Sequence, residues 1–250
     1  MLELPRGLKI TRDLEEEKDL LAKVRTFLEG EDRDPGVHVS DLMDPRQAVF
    51  KKLTGAKIPD RLLNVFIVGK VAHGIVELIH NDGEGEVTAS DSGTKKEAGI
   101  LYSPDAFSVD GSPVEIKTTR SFYLPKQPYL PDDSTYHMYI EQLMAYMALE
   151  GKITGRLTIL YLNLKDETGK TAPQFYVWKI TTTPEGIIEY KKSLEQTSAS
   201  IQAAVTARNP RTLPLCRSWK CKDCEFWEGC KPEGRFEYGR DSKGMKGWTA

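Results

Sequence analysis

Ser103-Pro104-Asp105-Ala106-Phe107-Ser108-Val109-Asp110-Gly111-Ser112-Pro113-Val114-Glu115-Ile116-Lys117 is the stretch whose reading decides the fold. Strand-favouring residues lie on both sides of Asp110-Gly111, a dipeptide that readily adopts the positive φ of a tight hairpin turn. The pattern predicts strands over 100–109 and 114–119, joined by that turn. Pairing would bring Ser-Pro-Asp on the first strand beside Glu115-Ile116-Lys117 on the second. Side chains alternate along a strand, so Glu115 and Lys117 share a face with the Ile116 carbonyl between them. Asp105, Glu115 and that carbonyl form a hard-oxygen set suited to magnesium or manganese.

Working outward, residues 1–37 are polar and charged and read as a peripheral arm with a Glu-rich amphipathic helix at 14–28. Asp44-Pro45-Arg46-Gln47 reads as a helix start: Asp44 at the N-cap, Pro45 at the first helical position and Gln47 closing a capping box. A second helix is expected over about 60–80, ended by Asn81-Asp82-Gly83, followed by a strand at 86–90. The Pro-rich run 123–133 is expected to be a surface loop. Ser134 or Thr135 can cap a helix reaching Glu150, with Gly151 as its stop. Strands at 156–164 and 174–180, joined by the turn-forming run 166–170, precede a long helix from Thr183 to about Ala207. No internal repeat or low-complexity tract is present. The order implies an α/β fold, a central mixed β-sheet flanked by helices.

The 250 residues are 39% hydrophobic, enough for one elaborated core over 38–207 between the arm and a C-terminal segment at 208–250. The N-terminus lacks an apolar leader-like run, and the most apolar stretch, 62–79, is interrupted by Asn64, Lys70, His73 and Glu77. We therefore expect a soluble cytoplasmic protein with no membrane partner. A net charge of −2 announces no nucleic-acid partner. Its distribution says more, because ten Lys or Arg against six Asp or Glu follow Ala207, interleaved with aromatic residues. That mixture suits phosphates and stacked bases, and equally a solvated surface around a metal knuckle. All four cysteines lie within 216–230, a clustering that points to a metal centre rather than a disulfide framework.

Pro104-Asp105-Ala106-Phe107 and the downstream Glu115-Ile116-Lys117 resemble the signature of the PD-(D/E)xK nucleases, whose core is restriction-endonuclease-like. Gly69-x-x-x-His73 and Gln142-x-x-x-Tyr146 place the resemblance in their RecB-like branch. It implies a Mg2+- or Mn2+-dependent deoxyribonuclease, an exonuclease or end-processing enzyme acting on single-stranded DNA or duplex ends. Catalytic residues would be Asp105, Glu115, Lys117, Gln142 and Tyr146; metal ligands would be His73, Asp105, Glu115 and the Ile116 carbonyl. Glu77, one turn after His73, could support the site, and Lys117 would position the attacking water and help it lose a proton.

Cys221-x2-Cys224-x5-Cys230 is similar to the cysteine triplet of the iron–sulfur members of this branch, of the Cas4 and AddB type. This implies a [4Fe-4S] cluster held by Cys216, Cys221, Cys224 and Cys230, with Zn2+ as the alternative. Asp44 stands where those relatives place an N-terminal cysteine, so either Asp44 or Cys216 could complete the set. Relatives work in phage recombination, DNA repair and CRISPR spacer acquisition, which implies protein partners from such a complex. The competing reading is a non-catalytic DNA-binding or scaffold module that kept the fold.

Overall fold

The computed structural model describes residues 22–23, 35–55, 63, 66–71, 74, 87–89, 94–121, 135–165, 168–221 and 224–230. Their elements are β1 (Val37–His38), α1 (Val39–Met43), α2 (Pro45–Thr54), β2 (Val87–Ala89), β3 (Lys95–Glu97), β4 (Ile100–Tyr102), β5 (Ala106–Ser108) and β6 (Pro113–Thr119). There follow α3 (Thr135–Leu149), β7 (Thr154–Lys165), β8 (Thr171–Thr181), α4 (Pro184–Thr206), a 3-10 turn at Pro210–Thr212, and the one-turn helices α5 (Ser218–Cys221) and α6 (Trp227–Cys230).

The fold is mixed α/β, with two sheets where one was expected. The larger has the order β2-β5-β6-β7-β8, parallel at β6/β7 and antiparallel elsewhere; the smaller is β1-β4-β3. The predicted single strand over 100–109 is broken in two. Pro104 has no N–H to donate to a ladder, and the chain bends between Tyr102 and Ala106, so β4 joins the small sheet and β5 the large one.

The predicted hairpin forms, with Ala106 opposite Val114. Gly111 has φ +70° and donates its N–H to the Ser108 carbonyl at 2.7 Å, and the Ser108 N–H reaches the Ser112 carbonyl at 2.9 Å. This is a three-residue loop with its last residue left-handed. The Asp110 carboxylate accepts from the Ser108 hydroxyl at 2.7 Å and the Ser112 N–H at 2.9 Å. Those bonds, the serine hydroxyl first, hold Asp110 well below the usual carboxylate range.

Helix α3 carries a nearly continuous apolar surface and packs on β6 and β7, while α4 packs against α3 and α2. Leu143, Ala145, Tyr146 and Met147 from α3 meet Leu157, Ile159 and Tyr161, the alternate residues of β7. Close approach is possible because Gly155 has no side chain: a Cβ there would lie 2.9 Å from both Leu143 Cδ1 and Met147 Sδ. Helix α4 begins as its sequence predicts, with the Gly186 N–H donating to the Thr183 hydroxyl at 3.0 Å, and it buries Ile187, Leu194, Ile201 and Ala204 along one side. On the other face of the hairpin, Ala106, Val114 and Ile116 form a small cluster of their own.

Within the expected helix over 60–80, residues 63, 66–71 and 74 are helical; 22–23 of the expected 14–28 helix are too. The Pro-rich run 123–133 and the basic tail beyond 230 lie outside the described residues. Among the described residues no helix is long and apolar enough to cross a membrane.

Candidate active site

Antiparallel pairing through Ala106 and Val114 sets Pro104 opposite Ile116, where the ladder has already ended. The Ile116 N–H would be left without a backbone acceptor. The Asp105 carboxylate supplies one, accepting that N–H at 2.7 Å. The bend that removes Asp105 from the strand thus turns its side chain onto β6 beside Glu115, a local substitution of side chain for backbone.

Glu115 and Lys117 lie on the face of β6 that α3 covers, in register with Leu157 and Ile159 of β7. Glu115 is fully buried, and among the described residues no donor other than the Lys117 ammonium reaches its carboxylate oxygens. Its compensation is an ion pair with the Lys117 ammonium. Burial raises the Glu115 carboxyl above its ordinary range, Lys117 counters this, and the nearby Asp105 charge reinforces it. For Lys117, burial alone would favour loss of the proton, but Glu115 and then Asp105 outweigh it and hold the ammonium charged.

The three side chains that the hairpin was expected to gather are therefore together. Two carboxyl groups against one ammonium leave the cluster short of positive charge, and the Glu115 oxygen that Lys117 does not meet is of the chemistry a hard divalent cation takes. Asp105, Glu115 and the Ile116 carbonyl fit such an ion as donors. His73 and Glu77 lie outside the described residues.

Gln142 and Tyr146 share a helical face as expected and bond to each other, the Gln142 amide donating to the Tyr146 hydroxyl at 2.9 Å. The Tyr146 ring also lies 6.5 Å from that of Tyr102, at the end of β4. The α3 residue that reaches Lys117 was not singled out from sequence: it is Tyr139, whose ring centroid is 5.5 Å from the ammonium nitrogen. Its spacing from Gln142 and Tyr146, at i, i+3 and i+7, was the available signal.

The cysteine segment is docked on α1, α2 and α3. Asp44 occupies the N-cap position of α2, but its side chain makes no capping hydrogen bond, so the expected capping box with Gln47 is not formed. Asp44 instead pairs with Lys220, and its second oxygen is buried with no partner among the described residues. The Gln47 N–H, which a capping side chain would have received, points to the Cys216 sulfur. Burial pushes the Cys216 thiol up to about 12, with Asp44 adding to the shift and the Gln47 N–H opposing it. Cys221 and Cys224 are also raised, first by burial, with neighbouring thiols contributing. Arg46 spans to Cys230 Sγ at 3.9 Å. The thiols are thus close enough to influence one another, yet among the described residues no group of three or more His, Cys, Asp or Glu is arranged to hold a metal ion.

No protein-family model and no curated protein matches the chain. Among solved structures it is similar to that of SSO0001, at 17% identity over 86% of this chain and 96% of that one, with a TM-score of 0.53. It is also similar to an alkaline exonuclease (LHK-Exo) from Laribacter hongkongensis, at 16% identity over 75% and 95% of the two chains and a TM-score of 0.45. A phage-related exonuclease from Haemophilus somnus 129PT follows at 13% identity over 68% and 82%, with a TM-score of 0.42. The likeness to SSO0001 is one of fold, and it extends over nearly the whole of that chain.

Proposed function

We propose that this chain is a divalent-metal-dependent deoxyribonuclease that hydrolyses phosphodiester bonds at DNA ends or in single strands. The observation that carries the reading is Glu115: a fully buried carboxylate near Asp105 whose one donor among the described residues is the Lys117 ammonium. A fold has little reason to retain such a group unless something else neutralises it. The resemblance of Pro104-Asp105 and Glu115-Ile116-Lys117 to the PD-(D/E)xK signature points the same way.

Asp105, Glu115 and the Ile116 carbonyl would hold Mg2+ or Mn2+, with His73 as the further ligand that the resemblance implies. The bound ion would polarise the phosphate and stabilise the leaving oxygen. Lys117 would position the attacking water and help it lose a proton, the role the resemblance implies. The half-buried Gln142 would contact substrate from α3, its amide held by the hydroxyl of the buried Tyr146.

Cys216, Cys221, Cys224 and Cys230 form the second part of the proposal, a [4Fe-4S] or Zn2+ centre with a structural role. Their donor chemistry suits either, and their separation among the described residues supports neither, so this part rests on resemblance. The absorption spectrum of anaerobically purified protein tests it. A broad band near ~400 nm supports the cluster, a colourless zinc-containing sample supports zinc, and metal-free protein rejects both.

The test of the enzyme is cleavage of end-labelled linear duplex and single-stranded DNA with Mn2+ or Mg2+. We expect metal-dependent degradation by the wild type and a loss of at least ~100-fold in Lys117→Ala, within the usual range for a positioned proton-handling group. Absence of cleavage of every DNA form with either metal would leave the scaffold reading standing.

A further inference from the structure

We propose that Tyr139 is a positioning residue for Lys117, holding the ammonium over the candidate site through its ring face. The inference rests on the nuclease reading only for the consequence in cleavage; the contact itself is independent of it. The Lys117 nitrogen pairs with Glu115, feels the charge of Asp105, and lies over the Tyr139 ring, 5.5 Å from its centroid. That is within reach of the attraction between a cation and the negative face of an aromatic ring.

The ring is itself fixed. Tyr136, one turn earlier on α3, meets Tyr139 edge-on at 6.1 Å and 73°, and its hydroxyl lies 2.9 Å from the hydroxyl of Tyr161. Tyr161 is fully buried on β7, two residues beyond Ile159, the neighbour of Lys117 across the β6/β7 ladder. The aromatic brace therefore starts on the strand beside the lysine, passes through two tyrosines and returns to the lysine from above.

Its use follows from the competition for Glu115. A lysine whose main partner is the carboxylate that would also bind a cation loses that partner when the cation arrives. Four methylene torsions would then leave the ammonium free to swing, and a ring face that costs no charge is a contact that keeps it over β6. A second carboxylate there would compete for the metal, and an aliphatic residue would offer the ammonium no attraction.

The test compares Tyr139→Phe with Tyr139→Leu. Phenylalanine keeps the face and loses the hydroxyl; leucine loses both. We expect Mn2+-dependent kcat to fall about five- to thirtyfold in Tyr139→Leu, as for a partly desolvated cation–ring contact. KM for DNA and Mn2+ affinity should stay within about twofold, and Tyr139→Phe should recover most of the rate. A second measurement needs neither cleavage nor metal: the Lys117 side-chain methylene next to the ammonium, assigned by its absence in Lys117→Ala, should show a ring-current-shifted NMR signal in wild type and Tyr139→Phe. In Tyr139→Leu it should move to the ordinary lysine position. Equal loss of rate in both Tyr139 variants, wild-type rate in Tyr139→Leu, or an unshifted signal in the wild type would each overturn the proposal. A wild type that cleaves no DNA but shows the shifted signal would sink the nuclease reading and leave the contact intact.

Discussion

Glu115 carries the most information per atom in the chain, because its position is costly in every state except one in which a cation lies beside it. Its carboxyl is raised by burial, so a proton and a metal ion compete for it through the neutral range, where an ordinary carboxylate would already be ionised. The sign follows. Raising the pH removes the competing proton, and metal affinity should climb until the pH exceeds the raised carboxyl value and then level off. The increase is at most about tenfold in affinity per pH unit, or ~1.4 kcal/mol. We expect the thermal stabilisation given by excess Mn2+ over a chelated sample to grow between pH 5.5 and 8.5 (on the order of several degrees). In Glu115→Gln most of the stabilisation should disappear at every pH. A stabilisation already flat from pH 5.5 upward would mean that Glu115 is ionised there and is not the controlling ligand.

At the scale of elements, the hairpin positions everything that residue-level chemistry needs, and it hinges on one backbone conformation. Gly111 has φ +70°, with the Lys152 nitrogen 3.1 Å from where a Cβ would sit. In Gly111→Ala that flexible lysine end can move away, but the left-handed backbone remains, at a cost of about 1–2 kcal/mol. For a chain of this size that lowers the melting temperature by ~2–8 °C. The Ala106/Val114 register is fixed by the pleat as well as by the turn, so the Asp105 bond to the Ile116 N–H should persist and metal-induced stabilisation should survive. Loss of that stabilisation together with the melting shift would show that the turn alone sets the register. The hairpin, α3, β7, β8 and α4 were legible in sequence because each joins a clear periodicity to a definite start or stop, such as Thr183 before Pro184. The division of 100–109 was not. Alternation alone treats Ser103-Pro104-Asp105 as strand, and the decision to send β4 and β5 to different sheets belongs to partners far off in the chain, Val37–His38 and Val87–Ala89. Tyr139 escaped notice for a similar reason: a tyrosine on an apolar helix reads as core until the strand beneath it is known to carry a lysine.

At the scale of the whole molecule, the question is what holds segment 211–230 to the rest. Arg46 is nearly buried on α2 and donates to the Leu213 carbonyl at 2.9 Å and the Arg211 carbonyl at 3.2 Å. Lys220 pairs with Asp44 and meets the Met138 sulfur at 3.0 Å, while Arg217 pairs with Glu141 of α3. Phe50 stacks on Phe226 with centroids 5.3 Å apart. These contacts join the first described helices to the last without any metal, and three of the four run through a cation supplied by one side of the joint. Met138 and Glu141 also flank Tyr139 on α3, so the docked segment and the candidate active site grip the same helix from different sides. Arg46 is the contact whose loss leaves the most behind: two backbone carbonyls without their donor, each costing about 1–3 kcal/mol if water cannot replace it. Arg46→Met keeps the volume and removes the charge. We expect it to expose 211–230 to limited proteolysis and to lower the melting temperature, whether or not the thiols hold a metal. Metal-induced stabilisation at Glu115 should persist, because the hairpin lies on β5 and β6 and takes nothing from Arg46. If chelation opens the segment as far as Arg46→Met does, then a metal centre at the cysteines, and not this latch, is what closes the fold.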